Sequence, residues 1–134
     1  MSKEQSAKAQ AGLAPVTGIS WLRSAAGLHL LSGQVAIDPT GMLVGEGDAA
    51  IQSDQIFANI DVALEQVGGA IHDVVSLRVF LTSADDYPAY AAAKARWFPG
   101  ATMPAGTAVI VAGLLDPRFL LEVEATAIDR RAKK

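Results

Sequence analysis

The chain contains no cysteine, which removes disulfides, thiolate metal sites and a cysteine nucleophile together. Aromatic residues are scarce, at 6% of 134 residues, and the two histidines, His29 and His72, lack the spacing of a metal-binding helix. Their plain reading is structural or solvent-exposed imidazole, and no metal is expected. No stretch is apolar for long enough to span a bilayer, and the opening MSKEQSAKAQ carries no apolar run of the kind a secretory signal needs. A cytoplasmic protein with no membrane partner is expected. Positive charge is not in surplus either: 11 basic residues stand against 14 acidic ones, for a net charge of −3. Binding to a phosphate backbone rests on a basic excess, so nucleic acid is not expected as the main partner.

Apolar residues are plentiful, at 51% against 19% charged, and the mean hydropathy is +0.28. A chain of this length holds one domain and one core, without room for separate cofactor and substrate domains. Such hydropathy is high for a small monomer, whose surface is large relative to its volume, so a buried subunit interface is expected. Residues 1–18 have little periodicity and read as a flexible arm, 19–129 as a single domain, and 130–134 (RRAKK) as a basic, solvated tail.

Periodicity divides the domain. Leu28 to Ile37 is strand-like, and the glycine in Ser32-Gly33-Gln34 marks a bulge or a close backbone approach. Asp38-Pro39-Thr40-Gly41 reads as a turn, with Met42 to Val44 pairing back. From Asp48 to Val67 the period becomes helical, with Ile56, Ile60, Ala63, Leu64 and Val67 on one face and Gln52, Gln55, Asn59, Asp61 and Gln66 off it; Gly68-Gly69 ends it. Val74 to Leu81 alternates, with Val75, Leu77, Val79 and Leu81 on one face. A second helix starts at Asp85 or Asp86, repeats Tyr90, Ala93, Lys94 and Trp97 at helical spacing, and stops at Pro99-Gly100. Strands over Ala105 to Ala112 and Phe119 to Ile128 close the chain. This order predicts an α+β fold with both helices on one face of the sheet.

Five segments in register then carry a resemblance. SGQVAIDPTG (Ser32 to Gly41), the helix with Asn59 and Val67-Gly68-Gly69, VVSLRVFLTSADDY (Val74 to Tyr87), Met103-Pro104-Ala105 and LEVEATAI (Leu121 to Ile128) resemble the RidA (YjgF/YER057c/UK114) family over roughly residues 20 to 129. The resemblance implies a chorismate-mutase-like α+β fold, with a mixed sheet of about six strands and two helices, assembled as a homotrimer with clefts between subunits. It also implies hydrolysis of reactive enamines and imines to keto acids and ammonia, without a metal or organic cofactor.

The deaminase branch of that family carries an arginine after Pro-Ala that pairs bidentately with the substrate carboxylate, a geometry that suits a planar anion. Here that place is Gly106, in Pro104-Ala105-Gly106-Thr107. The branch's helix asparagine falls on Ala91, and its N-terminal tyrosine on Ser20 or Trp21. What remains is the glutamate of the last strand, Glu122, and Ser32, Gly33 and Gln34; Thr107 and Trp21 complete the candidate substrate contacts. Loss of the arginine shifts the expected substrate away from carboxylate-anchored 2-imino acids, unless Arg23, Arg96 or Arg118 takes its place.

Glu122 and Glu124 share a strand face, about 7 Å apart, and two carboxylates so placed can act as general acid and base. The alternative for either is an ion pair, for which Arg78 is the natural partner. Trp97 and Phe98 have helical spacing and read as core before pocket. Gly45-Glu46-Gly47-Asp48-Ala49-Ala50 matches a dinucleotide-binding pattern on paper but lacks the surrounding β-α-β unit, so it reads as a loop leading into a helix. Three functions fit: a small-molecule hydrolase or deaminase using Glu122, a non-catalytic trimer that binds a metabolite or partner, and an endoribonuclease or translation inhibitor, the last disfavoured by the charge balance.

Overall fold

The computed structural model describes residues 21–133. The arm expected over 1–18, and Ser20, lie outside the described residues. Five strands form one mixed sheet: β1 (Leu22–Ala25), β2 (Leu28–Gln34), β3 (Val74–Leu81), β4 (Ala105–Ile110) and β5 (Leu121–Ile128), in the order β1-β2-β5-β3-β4. Only β3 and β4 run parallel. Helices α1 (Ala49–Glu65) and α2 (Tyr87–Trp97) complete the α+β fold. No described helix is long and apolar enough to cross a membrane.

The sheet has five strands where about six were expected, and its hairpin lies elsewhere. β2 pairs with β1 before it, through Ala26-Gly27 at φ 53° and 79°, the geometry of a tight two-residue turn. Met42 to Val44 makes no strand: a single bridge joins Ile37 to Leu43 across a turn in which Asp38 Oδ1 accepts from the Thr40 N–H, the Thr40 hydroxyl and the Met42 N–H. Those bonds hold the Asp38 carboxyl below its ordinary range, the Thr40 hydroxyl contributing most.

Asp48 caps α1 by accepting the Ile51 N–H at 3.1 Å, and Gly68, at φ 80°, lets the Gly69 N–H close on the Leu64 carbonyl at 2.8 Å. Asp86 makes no side-chain cap on α2; Ser83 instead takes the Asp85 N–H, and Pro88 sits in the first turn, where its missing N–H is harmless. In the Gly45 to Ala50 loop, Gly45 has φ 80° and a β-carbon on it would press within 2.7 Å of Ile51, so this glycine is explained by conformation and packing.

One face of the sheet buries Leu31, Leu77, Val79, Leu81, Leu121, Val123, Ala125 and Ala127 against Ile56, Phe57, Ile60, Ala63 and Leu64 of α1. Helix α2 adds Tyr90 and Ala93, and Phe98 follows it; Tyr90 stacks on Phe57 at 5.8 Å and Phe98 meets the same ring edge-on at 5.6 Å. Burial pushes the Tyr90 phenol far above its ordinary value.

Two sequence readings change here. Gln52 and Asn59, placed off the apolar face, are buried because they tie loops to α1: Gln52 bonds the carbonyls of Gly45 and Arg118 and the Leu120 N–H, and Asn59 bonds the carbonyls of Val35 and Ile37. In β3 the register shifts between Val74 and Ser76, so Val74 is buried and Val75 is turned out.

The other face of the sheet has no covering element among the described residues. Leu30, Ser32, Phe80, Glu122, Glu124 and Thr126 lie on it, and every residue of β4 is exposed.

Candidate functional site

Glu122 belongs to β5 on the uncovered face, directly opposite Phe80 of β3. Across its other flank the β2 ladder is irregular: Leu31 faces Ala125 and Gln34 faces Val123, so β2 holds one residue more than β5 over this interval. That bulge contains Ser32 and Gly33. A β-carbon at Gly33 would fall on Glu122 Oε2 and within 2.7 Å of its Cδ. Gly33 has no positive φ, so what it provides is space for the carboxylate.

Two residues along β5, Glu124 meets Arg78 with Nε at 2.8 Å from Oε1, an exposed ion pair. Glu122 has no hydrogen-bond or ion-pair partner among the described residues. Half-buried and unpaired, its carboxyl is pushed above its ordinary value, chiefly by desolvation and secondarily by the Glu124 charge. The two glutamates predicted as a possible acid–base pair therefore divide: Glu124 is held in an ion pair, and Glu122 is left available for proton transfer.

The remaining candidates scatter by side. Ser32 accompanies Gly33 in the bulge, its N–H bonded to the Trp21 carbonyl at 2.9 Å. Trp21 packs partly against the core, with its indole Nε1 buried and without a hydrogen-bond partner among the described residues. Gln34 turns inward, fully buried, and its amide braces the bulge by donating to the Ser32 carbonyl at 2.8 Å. Thr107 stands on the uncovered face opposite Arg78. Gly106 pairs with Leu77, and so belongs to the helix side of the sheet. Relative to Glu122 it lies two strands across and three residues along, about 10 Å in each direction, on the opposite face. Ala91 is half-buried on α2.

Sequence reasoning missed Lys94. A β-carbon at Gly106 would stand 2.8 Å from Lys94 Nζ, so the lysine reaches into the space a side chain there would fill. Helical spacing grouped it with Tyr90, Ala93 and Trp97; Tyr90 and Ala93 are buried, whereas Lys94 is half-exposed. Ala91, three residues earlier, shares its side of the helix. The arginines proposed as substitutes are engaged or distant: Arg96 pairs with Asp54, Arg118 with Asp116, and Arg23 stands on β1 at the far edge of the sheet from β4. Bonds from Arg118 hold the Asp116 carboxyl down to about 2.

Trp97 and Phe98 are packing residues, the first donating its indole N–H to Asp54 at 3.1 Å. His29 is buried, with Nδ1 at 2.6 Å from the Ser24 hydroxyl. The basic tail is partly neutralised, Arg130 by Asp73 and Arg131 by Asp129. No group of three His, Asp or Glu residues among those described could hold a metal ion.

A mixed sheet with two helices on one face, and a carboxylate lodged in a strand bulge on the other, defines an α+β domain of the class the five segments implied. The chain belongs to the RidA (YjgF) family: the family model described as Endoribonuclease L-PSP matches residues 13–129. It is 34% identical over 117 residues to a RutC family protein of Synechocystis, covering 86% of this chain and 88% of that protein. A RutC family protein of Pyrococcus horikoshii is 35% identical over 115 residues, covering 84% and 88%. Among solved structures, the Rid family protein YyfA of Yersinia pestis matches with a TM-score of 0.82 and 30% identity, over 90% of this chain and 94% of that one. The yeast protein YEO7 matches at 0.83 and 29%, over the same shares. Family membership supports a deaminase or hydrolase acting on a small molecule.

Proposed function

We propose that the protein hydrolyses an imine, enamine or related small molecule, with Glu122 as the proton-transferring group, in a cleft between subunits of a homotrimer. The observation that carries this is the unpaired, half-buried Glu122 carboxylate in the space left by Gly33. A carboxyl with raised proton affinity is a better proton acceptor than an exposed one and, once protonated, can return the proton. In the first step Glu122 takes a proton from water while the water oxygen bonds to the imine carbon and the C=N π pair moves to nitrogen. In the second, the protonated Glu122 returns that proton to nitrogen and then relays the hydroxyl proton to it as well, so that the carbon–nitrogen bond breaks with nitrogen leaving as ammonia and the hydroxyl oxygen forms the carbonyl. Carbonyl compound and ammonia leave, and water is the only co-reactant.

A site between copies is supported by topology. Glu122 and the Gly106 region face opposite ways from one sheet, so within one chain they cannot meet the same small molecule. The uncovered face and the exposed β4, with Val109 and Ile110 outward, are the surfaces an assembly would use. With glycine at 106, specificity moves away from substrates that need a bidentate carboxylate anchor.

The test is hydrolysis of enzymatically generated 2-aminoacrylate and 2-iminopropionate by wild type and Glu122→Ala, following keto-acid release over the spontaneous rate. Acceleration by wild type that is lost in Glu122→Ala is expected. No acceleration with these or with neutral imines would favour the second reading, a ligand-binding trimer, for which the absence of hydrogen-bonding side chains at Ala91 and Gly106 speaks.

A further inference from the structure

We propose that Lys94 is the anion-binding and specificity-determining residue of this site, so that the substrate carries a single compact negative group, a carboxylate, held by the Lys94 ammonium over Gly106. The inference rests on the hydrolase reading for the location of its substrate and on separate residues for its chemistry. Lys94 reaches from α2 to β4, and the ammonium stands where a β-carbon at 106 would be crowded at 2.8 Å. No carboxylate lies within ion-pair distance of it among the described residues, whereas five of the six described arginines, Arg78, Arg96, Arg118, Arg130 and Arg131, are each paired, and the sixth, Arg23, stands at the far edge of the sheet from β4. An ammonium partly shielded from water and without a counter-charge attracts an incoming anion more strongly than a fully solvated one does. Partial burial does lower the affinity of Lys94 for its proton, and no neighbouring charge offsets this.

Room for the anion comes from the same residues. Ala91 and Gly106 present one methyl group and none, so neither carries a side chain that competes with an anion for Nζ. One unpaired cation matches a monoanion; a phosphate dianion calls for further cations, and the nearest candidate on this helix, Arg96, is occupied by Asp54. A lysine is a point charge with three rotatable donors, so it accepts carboxylates in more orientations than a guanidinium fork does. The site therefore keeps affinity for anionic substrates and loses the strict geometry of a bidentate clamp.

Titration calorimetry with pyruvate, with acetone as its neutral counterpart and with inorganic phosphate, tests this on the full chain. Pyruvate should bind wild type and Lys94→Arg, bind Lys94→Gln about ten- to a hundredfold more weakly, and bind Arg96→Gln as wild type; acetone affinity should not distinguish Lys94→Gln from wild type. For a carboxylate imine, Lys94→Gln should raise KM with kcat nearly unchanged. Equal pyruvate binding by Lys94→Gln and wild type overturns the proposal, as does phosphate binding more tightly than pyruvate. So does a change in oligomeric state of Lys94→Gln on size exclusion without ligand, because the lysine would then be serving a second copy's acid. Lys94-dependent pyruvate binding without turnover would sink the hydrolase reading and leave the anion site; turnover of neutral imines with no Lys94 dependence would do the reverse.

Discussion

Two strand glycines make room for a charge in different ways. Gly33, in the middle of the sheet, sits in a bulge and admits the Glu122 carboxylate from the neighbouring strand. Gly106, on the edge strand, lies in regular parallel pairing and admits the Lys94 ammonium from a helix. Neither has a positive φ, in contrast to Gly27, Gly41, Gly45, Gly47, Gly68 and Gly100. The turn glycines supply a conformation and these two supply a missing side chain. The first charge is on the uncovered face and the second on the helix side, so in the proposed reading each is half of a site that a second copy completes.

The sharpest break in this comparison is Glu122→Gln. Removing a proton-transferring carboxylate should lower turnover about a hundred- to ten-thousandfold, while Glu124→Gln, which loses only the exposed Arg78 pair, should stay within a few-fold; steady-state rates of the two variants check it. Next is Gly33→Ala. Its methyl would strike the Glu122 side chain, so either the carboxylate or the bulge must move, at about 1 to 3 kcal/mol and with loss of turnover; urea denaturation and rates together separate the two effects.

A smaller effect follows from protonation. The folded state raises the Glu122 carboxyl above its unfolded value, so between those values the native chain binds more protons than the unfolded one. The Glu122 contribution to stability therefore falls as pH rises through that window, and turnover that needs the carboxylate rises. Thermal melts across that range should show Glu122→Gln gaining stability relative to wild type as pH increases. Smallest is Ala26→Gly in the β1–β2 turn: relief of a positive φ at alanine should stabilise by up to about 1 kcal/mol, raising Tm without changing activity.

Much of this was legible in the sequence. The periodicities of α1, β3 and β5 report directly which face is apolar, and a glycine inside an apolar strand already pointed to a bulge or close approach at Gly33. β1 escaped notice because LRSA is short and mostly exposed, so its assignment depends on pairing with β2 rather than on its own pattern. Gln52 and Asn59 look like solvent residues by type; their burial rests on carbonyls 7 to 66 residues away. Lys94 was hidden for the same reason. Its proximity to Gly106 is a tertiary distance, and helical spacing placed it with the core residues beside it.

The claim that the site is divided between copies is most directly tested by mixing two variants that are each impaired at low substrate concentration, Glu122→Ala and Lys94→Ala, through joint unfolding and reassembly. If each cleft takes Glu122 from one subunit and Lys94 from another, an equal mixture restores about one quarter of the wild-type rate at low concentrations of a carboxylate imine, because that share of clefts draws both intact residues. A mixture no more active than its separate components would contradict the account and put both groups in a site within one chain.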